Sequence, residues 1–75
     1  MDQIIQYTID TPFIKLDSFL KLTGMTVTGG EAKLAVLAGQ VTVNGEVCLM
    51  RGKKLRHGDQ IAFDGQAFAL VCALE

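Results

Sequence analysis

Short apolar stretches alternate with single turn signals along the chain, and the period of each stretch says what it forms. Residues 3 to 9, QIIQYTI, are rich in Ile, Tyr and Thr and predict a strand. Asp10-Thr11-Pro12 interrupts it, with Pro12 in an extended link rather than opening a helix. Leu16, Phe19, Leu20 and Thr23 then recur at helical spacing, so they share one face and Lys21 turns away from it. Gly24 is placed to end that helix. Thr28 and Glu31 make a T-x-x-E capping box, in which the threonine oxygen accepts from a first-turn N–H and the glutamate reaches back to the Thr28 N–H. From Ala32 to Gly39 the only charge is Lys33, which predicts a second helix buried on most sides and stopped by Gly39.

The second half has the alternation of strands. Val41-Thr42-Val43 leads into Asn44-Gly45, the strongest hairpin signal in the chain, with Glu46 to Met50 as the predicted return strand. Gly58-Asp59 makes a turn before a strand at Gln60 to Phe63. Asp64-Gly65 starts a second hairpin whose partner, 66 to 72, sets Phe68, Leu70 and Cys72 on one face. A strand, two helices and a run of short strands predict an α+β fold, two helices packed against a small, mainly antiparallel sheet.

Composition narrows this picture. Seventy-five residues bound the chain to a single domain over 1–75. A domain of this size buries only about 60% of its unfolded surface. The 49% hydrophobic content suffices for one core and argues against disorder. The longest apolar run, Ala67 to Leu74, is far short of the roughly 20 residues a membrane span needs, and the N-terminus lacks a secretory pattern. A cytoplasmic protein is expected. Cys48 and Cys72 have neither C-x-x-C nor zinc spacing, and the apolar ALVCAL context predicts a buried, reduced Cys72.

Catalytic motifs fail on inspection. Gly29 is followed by Gly30 and Glu31 rather than the Lys-Ser/Thr of a phosphate loop, and no G-x-G-x-x-G occurs. The one histidine, His57, could be oriented by Asp59, but Gly58-Asp59 is better explained as turn chemistry. His57 is expected at the surface or against an anion. No enzyme, cofactor, metal or small-molecule substrate is indicated.

Charge carries the functional signal. The net charge is −1, yet Arg51, Lys53, Lys54 and Arg56 gather in RGKKLRHG, and no acid stands between Val47 and Gly58. A solvated loop is the plain alternative, but local clustering in a slightly acidic chain, between two strands, favours an anion-binding segment. Gly29-Gly30 at the start of the second helix, with Lys33 nearby, could add main-chain N–H groups, although Glu31 opposes an anion there. The basic segment holds no aromatic residue, so stacking of single-stranded bases is not expected, and recognition of structured RNA by shape and backbone fits better.

The constellation KLDSFL, TGGEAKLAVLAGQVTVNG and KKLRHGDQI resembles the RNA-binding domain first defined in ribosomal small-subunit protein four, often called the alpha-L motif. Lys15-Leu16-Asp17, Ala32-Lys33, Gly39 to Gly45 and Gly58-Asp59 carry the likeness, over a core of about 15–63. Thr28-Gly29 departs from it, since most relatives have Ser-Arg there and use that arginine on RNA. The resemblance implies RNA bound along helix and loop cations, with no catalytic activity. The expected reading is a non-catalytic module for structured RNA, ribosomal RNA being one candidate. Its expected contacts are Lys15, Lys21, Lys33, Arg51, Lys53, Lys54 and Arg56. The alternative is a protein–protein adaptor whose basic patch docks on an acidic partner.

Overall fold

Each element begins or ends where a local signal requires it in the computed structural model, which describes residues 4–73. Gln3 and Leu74, which open the first predicted strand and close the longest apolar run, lie outside the described residues. Strand β1 (Ile4–Ile9) is followed by the short β2 (Ile14–Lys15), which runs directly into α1 (Leu16–Leu22). Helix α2 (Gly29–Leu37) precedes β3 (Val41–Val43), β4 (Glu46–Val47), β5 (Lys54–Leu55), β6 (Gln60–Phe63) and β7 (Gln66–Cys72).

Both predicted hairpins form. Asn44 and Gly45 hold φ of 54° and 85°, and Asp64 and Gly65 hold 54° and 78°, the positive pair that a type I′ turn demands. β3 pairs antiparallel with β4 and β6, and β6 with β7. The sheet order is β1-β7-β6-β3-β4, with β1 parallel to β7 at one edge. That parallel pair joins the two ends of the described chain. A second, two-stranded ribbon joins β2 to β5.

Four expectations need correction. The capping box closes differently: Thr28 Oγ1 accepts from Glu31 N–H at 3.1 Å, but Glu31 Oε1 accepts from Val27 N–H at 2.7 Å, one residue before the predicted donor. Helix α2 is not buried on most sides. It inserts Ala32, Ala35 and Val36 and leaves Leu34 and Leu37 at 68% and 53% exposure. Its small alanines allow close packing on one side, and a domain this small has little protein left to cover the other. The return strand after Asn44-Gly45 is β4 alone, because after Cys48 N–H donates to Val41 O at 3.0 Å the chain turns away toward α1. The cysteines are free and half-buried rather than fully enclosed.

The core lies between the helices and one sheet face. Leu16, Phe19 and Leu20 of α1 meet Ala32, Ala35 and Val36 of α2 above Val41, Val43, Ile61, Phe68 and Leu70, with Leu55 of β5 closing the side. Each large side chain buried in this way contributes about 1.5–3 kcal/mol. Tyr7, Phe19 and Phe68 lock edge to face, with ring centroids 5.8, 6.5 and 6.0 Å apart, and so tie β1, α1 and β7 together. Phe63 packs against this cluster from β6. Among the described residues, Phe13 is the one aromatic that does not pack against it.

Phe19→Ala should therefore cost about 3–5 kcal/mol, a large part of the ~4–11 kcal/mol expected for a chain of this length. Phe13→Ala should cost less than about 1 kcal/mol. Urea unfolding midpoints at constant m-value check both, and equal losses would contradict the core described here.

Candidate nucleic-acid interface

The basic segment is held by the start of α1. The N-cap residue of that helix, Lys15, makes no side-chain cap. Its side chain carries only donors, so it cannot satisfy the orphan N–H groups of the first turn. Two main-chain carbonyls from the distant basic segment do so instead: Leu16 N–H donates to Lys53 O at 2.9 Å, and Asp17 N–H to Arg51 O at 3.0 Å. Ser18 N–H is met by Asp17 Oδ1 at 2.8 Å. A turn from Met50 to Lys53, closed by Lys53 N–H on Met50 O at 3.1 Å, delivers the chain to this position.

From there the segment enters the ribbon. Ile14 stands opposite Leu55 and Lys15 opposite Lys54. Leu55 is buried and Ile14 packs on the core, so the alternation of side chains sends Lys15 and Lys54 to the outer face. Phe13 and Arg56 flank this pair. Lys54 Nζ lies 4.9 Å and Arg56 Cζ 5.7 Å from the Phe13 ring centroid, both within cation–π range. The basic segment has no aromatic of its own, and the fold brings one to it from before β2. The signal that could have found it is the alternation Phe13-Ile14-Lys15 facing Lys54-Leu55-Arg56, which becomes visible only when the two stretches are paired.

This face is electrostatically uncomfortable by itself. Like charges directly opposite in an antiparallel pair repel. Lys15 also sits at a helix N-terminus, where the dipole disfavours a cation.

The remaining cations are distributed differently. Arg51 reaches Asp17, Nη1 to Oδ2 at 3.5 Å, with the arginine about half exposed, so its charge is partly answered within the protein. Lys53 is half-buried and lines a shallow groove of about 230 Å³ with Val47, Leu49 and Met50. Lys21 is exposed in the last turn of α1 and Lys33 is exposed on α2; neither belongs to the ribbon. His57 is exposed, and its Nδ1 accepts from Cys72 N–H at 3.0 Å. Asp59 does not orient it. The Asp59 carboxylate accepts from Arg56 N–H at 2.8 Å and from Asn44 Nδ2 at 3.1 Å, closing the turn as expected. At the α2 N-terminus the Glu31 carboxylate sits on Val27 N–H, which keeps a negative charge where the sequence left room for a phosphate.

Among the described residues, no group of three or more His, Cys, Asp or Glu side chains is arranged to hold a metal ion. No helix there is long and apolar enough to cross a membrane.

Comparison with known proteins agrees with this fold. The model of the S4 domain family matches residues 7–71. The chain is 35% identical over 60 residues to "Putative RNA-binding protein YbcJ" of Escherichia coli, covering 80% of this chain and 86% of that protein. It is 41% identical over 58 residues to "Probable ribosome maturation protein RlbA" of Bacillus subtilis, covering 77% and 82%. Its structure is similar to the solution structure of YbcJ from E. coli, described as revealing an alfaL motif involved in RNA-binding. The TM-score is 0.70 at 30% identity, over 96% of this chain and 92% of that one.

If the Lys15–Lys54 pair is repulsive, Lys15→Gln should stabilise the fold by about 0.2–1 kcal/mol at low ionic strength. The gain should shrink toward zero at about 1 M salt, where the Debye length falls to about 3 Å. Unfolding midpoints in low and high salt check this; a loss of stability at low salt would show the two charges do not oppose each other.

Proposed function

This chain belongs to the S4 domain family, and we propose from that premise that it is a non-catalytic RNA-binding domain. The observation that carries the reading is the outer face of the β2–β5 ribbon, where Lys15, Lys54 and Arg56 meet without an acidic partner among the described residues. These three are the centre of the interface. Arg51 and Lys53, on the loop clamped to α1, extend it. Lys21 and Lys33 are flanking contacts on the helices. The interface acts by phosphate contact: arginine grips two phosphate oxygens at once and lysine acts as a point charge.

Structured RNA is the substrate class, because backbone contact from a fixed surface suits a folded RNA better than a flexible strand. Ribosomal RNA is the favoured member of that class, a choice supported by the name of the Bacillus relative. The domain works in the cytoplasm, where such RNA is found. The adaptor reading uses the same cations on an acidic protein surface, and RNA retention at low salt separates the two.

Three ribbon cations should give log K against log salt a slope of about −2 to −3, and participation of the loop cations should steepen it to about −3.5 to −4.5. Lys54→Glu should lower affinity for several structured RNAs by a similar factor and flatten the slope by about 0.7–0.9. Filter-binding or anisotropy titrations over a salt series check both, and a chain that retains no RNA even at low salt would favour the adaptor.

A further inference from the structure

We propose, resting on the RNA-binding reading, that Phe13 with Lys54 and Arg56 forms a receptor for one unpaired base of a folded RNA, at a bulge or loop. The ring is out of place for a purely structural aromatic. The chain has one tyrosine and four phenylalanines. Tyr7, Phe19 and Phe68 interlock in the core, and Phe63 packs against it. Phe13 remains half-buried beside the ribbon, in contact with two cations instead.

Its position is fixed before any ligand arrives. Pro12 restrains the backbone ahead of it. Thr11 Oγ1 donates to Phe13 O at 2.9 Å, and β2 begins at the next residue. The two cation contacts orient the ring and hold the Arg56 guanidinium near it. Aromatic rings and guanidinium planes are the two surfaces on which splayed-out bases stack, while flanking cations meet the adjoining phosphates. The ribbon supplies both kinds of group within one short stretch, with Lys15 across from Lys54. A paired helix offers no free base face to such a ring. The same site would therefore prefer folded RNA carrying an unpaired nucleotide over a continuous duplex.

The test uses two RNA hairpins identical except for one bulged adenine, titrated by anisotropy with the full chain at fixed salt. The wild type should bind the bulged hairpin about 5-fold or more tightly, the lower end of the range for one stacked base. Phe13→Leu should abolish that preference, so that the two hairpins bind alike, and Phe13→Tyr should retain the preference. The chain contains no tryptophan, so the indole introduced by Phe13→Trp is a sole reporter, expected to be quenched by the bulged hairpin and much less by the paired one. Equal wild-type binding to both hairpins overturns the proposal and leaves the RNA-binding reading standing. A Phe13→Leu effect that weakens both equally also overturns it, since the ring would then serve only to orient the cations. Binding to neither hairpin overturns both readings.

Discussion

Two main-chain hydrogen bonds, from the first N–H groups of α1 to the carbonyls of Lys53 and Arg51, set the geometry on which the basic face depends. They complete a helix start at which the N-cap residue, Lys15, makes no side-chain cap. A Ser or Asp there would compete for the Asp17 or Ser18 N–H, whereas the Leu16 N–H would still be free to donate to Lys53 O. With a lysine, the helix end is completed by a segment from the far side of the sequence. The consequences follow in order. The strand after Asn44-Gly45 is cut short, the chain turns at Met50 to Lys53, and Lys54-Leu55 is laid against Ile14-Lys15. Each such bond nets only about 0.5–1.5 kcal/mol, but leaving the donors unmet costs more, which makes the clamp difficult to open without fraying α1. Core and interface are thus stabilised by the same contacts.

The carboxylates explain how a chain of net charge −1 keeps a basic face. Asp59, the acid nearest to Arg56 in sequence, is turned toward the Arg56 N–H and Asn44 Nδ2. Glu31 is turned toward Val27 N–H at the start of α2. Asp17 answers Arg51 and caps Ser18. Each is committed to a turn or a helix end, where its charge serves the backbone. The ribbon is left with Lys15, Lys54 and Arg56, whose mutual repulsion is only partly offset by the Phe13 ring.

Most of the fold was legible because its signals are local. Asn44-Gly45 and Asp64-Gly65 encode their hairpins in two residues each, and the spacing Leu16, Phe19, Leu20 encodes the buried face of α1. The strand pattern placed the basic segment between two strands, but its own Lys54-Leu55 forms the further strand β5. What escaped depends on pairing between distant stretches. β2 and β5 have two residues each, too few for any period to show, and their register is what brings Phe13 to Lys54 and Arg56. The ion pair of Arg51 with Asp17 is equally non-local. The exposed leucines of α2 escaped for another reason: a helix apolar on every side carries no stripe to say which face the core will take.

On the proposed reading, the ribbon's value to a ligand lies in order established before binding. A lysine or arginine on a free loop loses about 2 kcal/mol of rotamer freedom when it is fixed, and a loop must be ordered as well, so much of each phosphate contact would be spent on immobilisation. Here the backbone is pinned by a ladder and a helix cap, and residues two apart in the strand are spaced about 6.5 Å by the extended chain itself. Lys54 and Arg56 are further restrained by a ring that is itself held by its own turn. A small, marginally stable domain with few cations can hold a polyanion if those cations are already in place. A two-residue ribbon cannot hold them unaided, since so short a pair is unstable alone. The helix cap at Leu16 and Asp17 supplies the missing support, so Lys15 is both a member of the charged face and the residue at which ribbon and helix join.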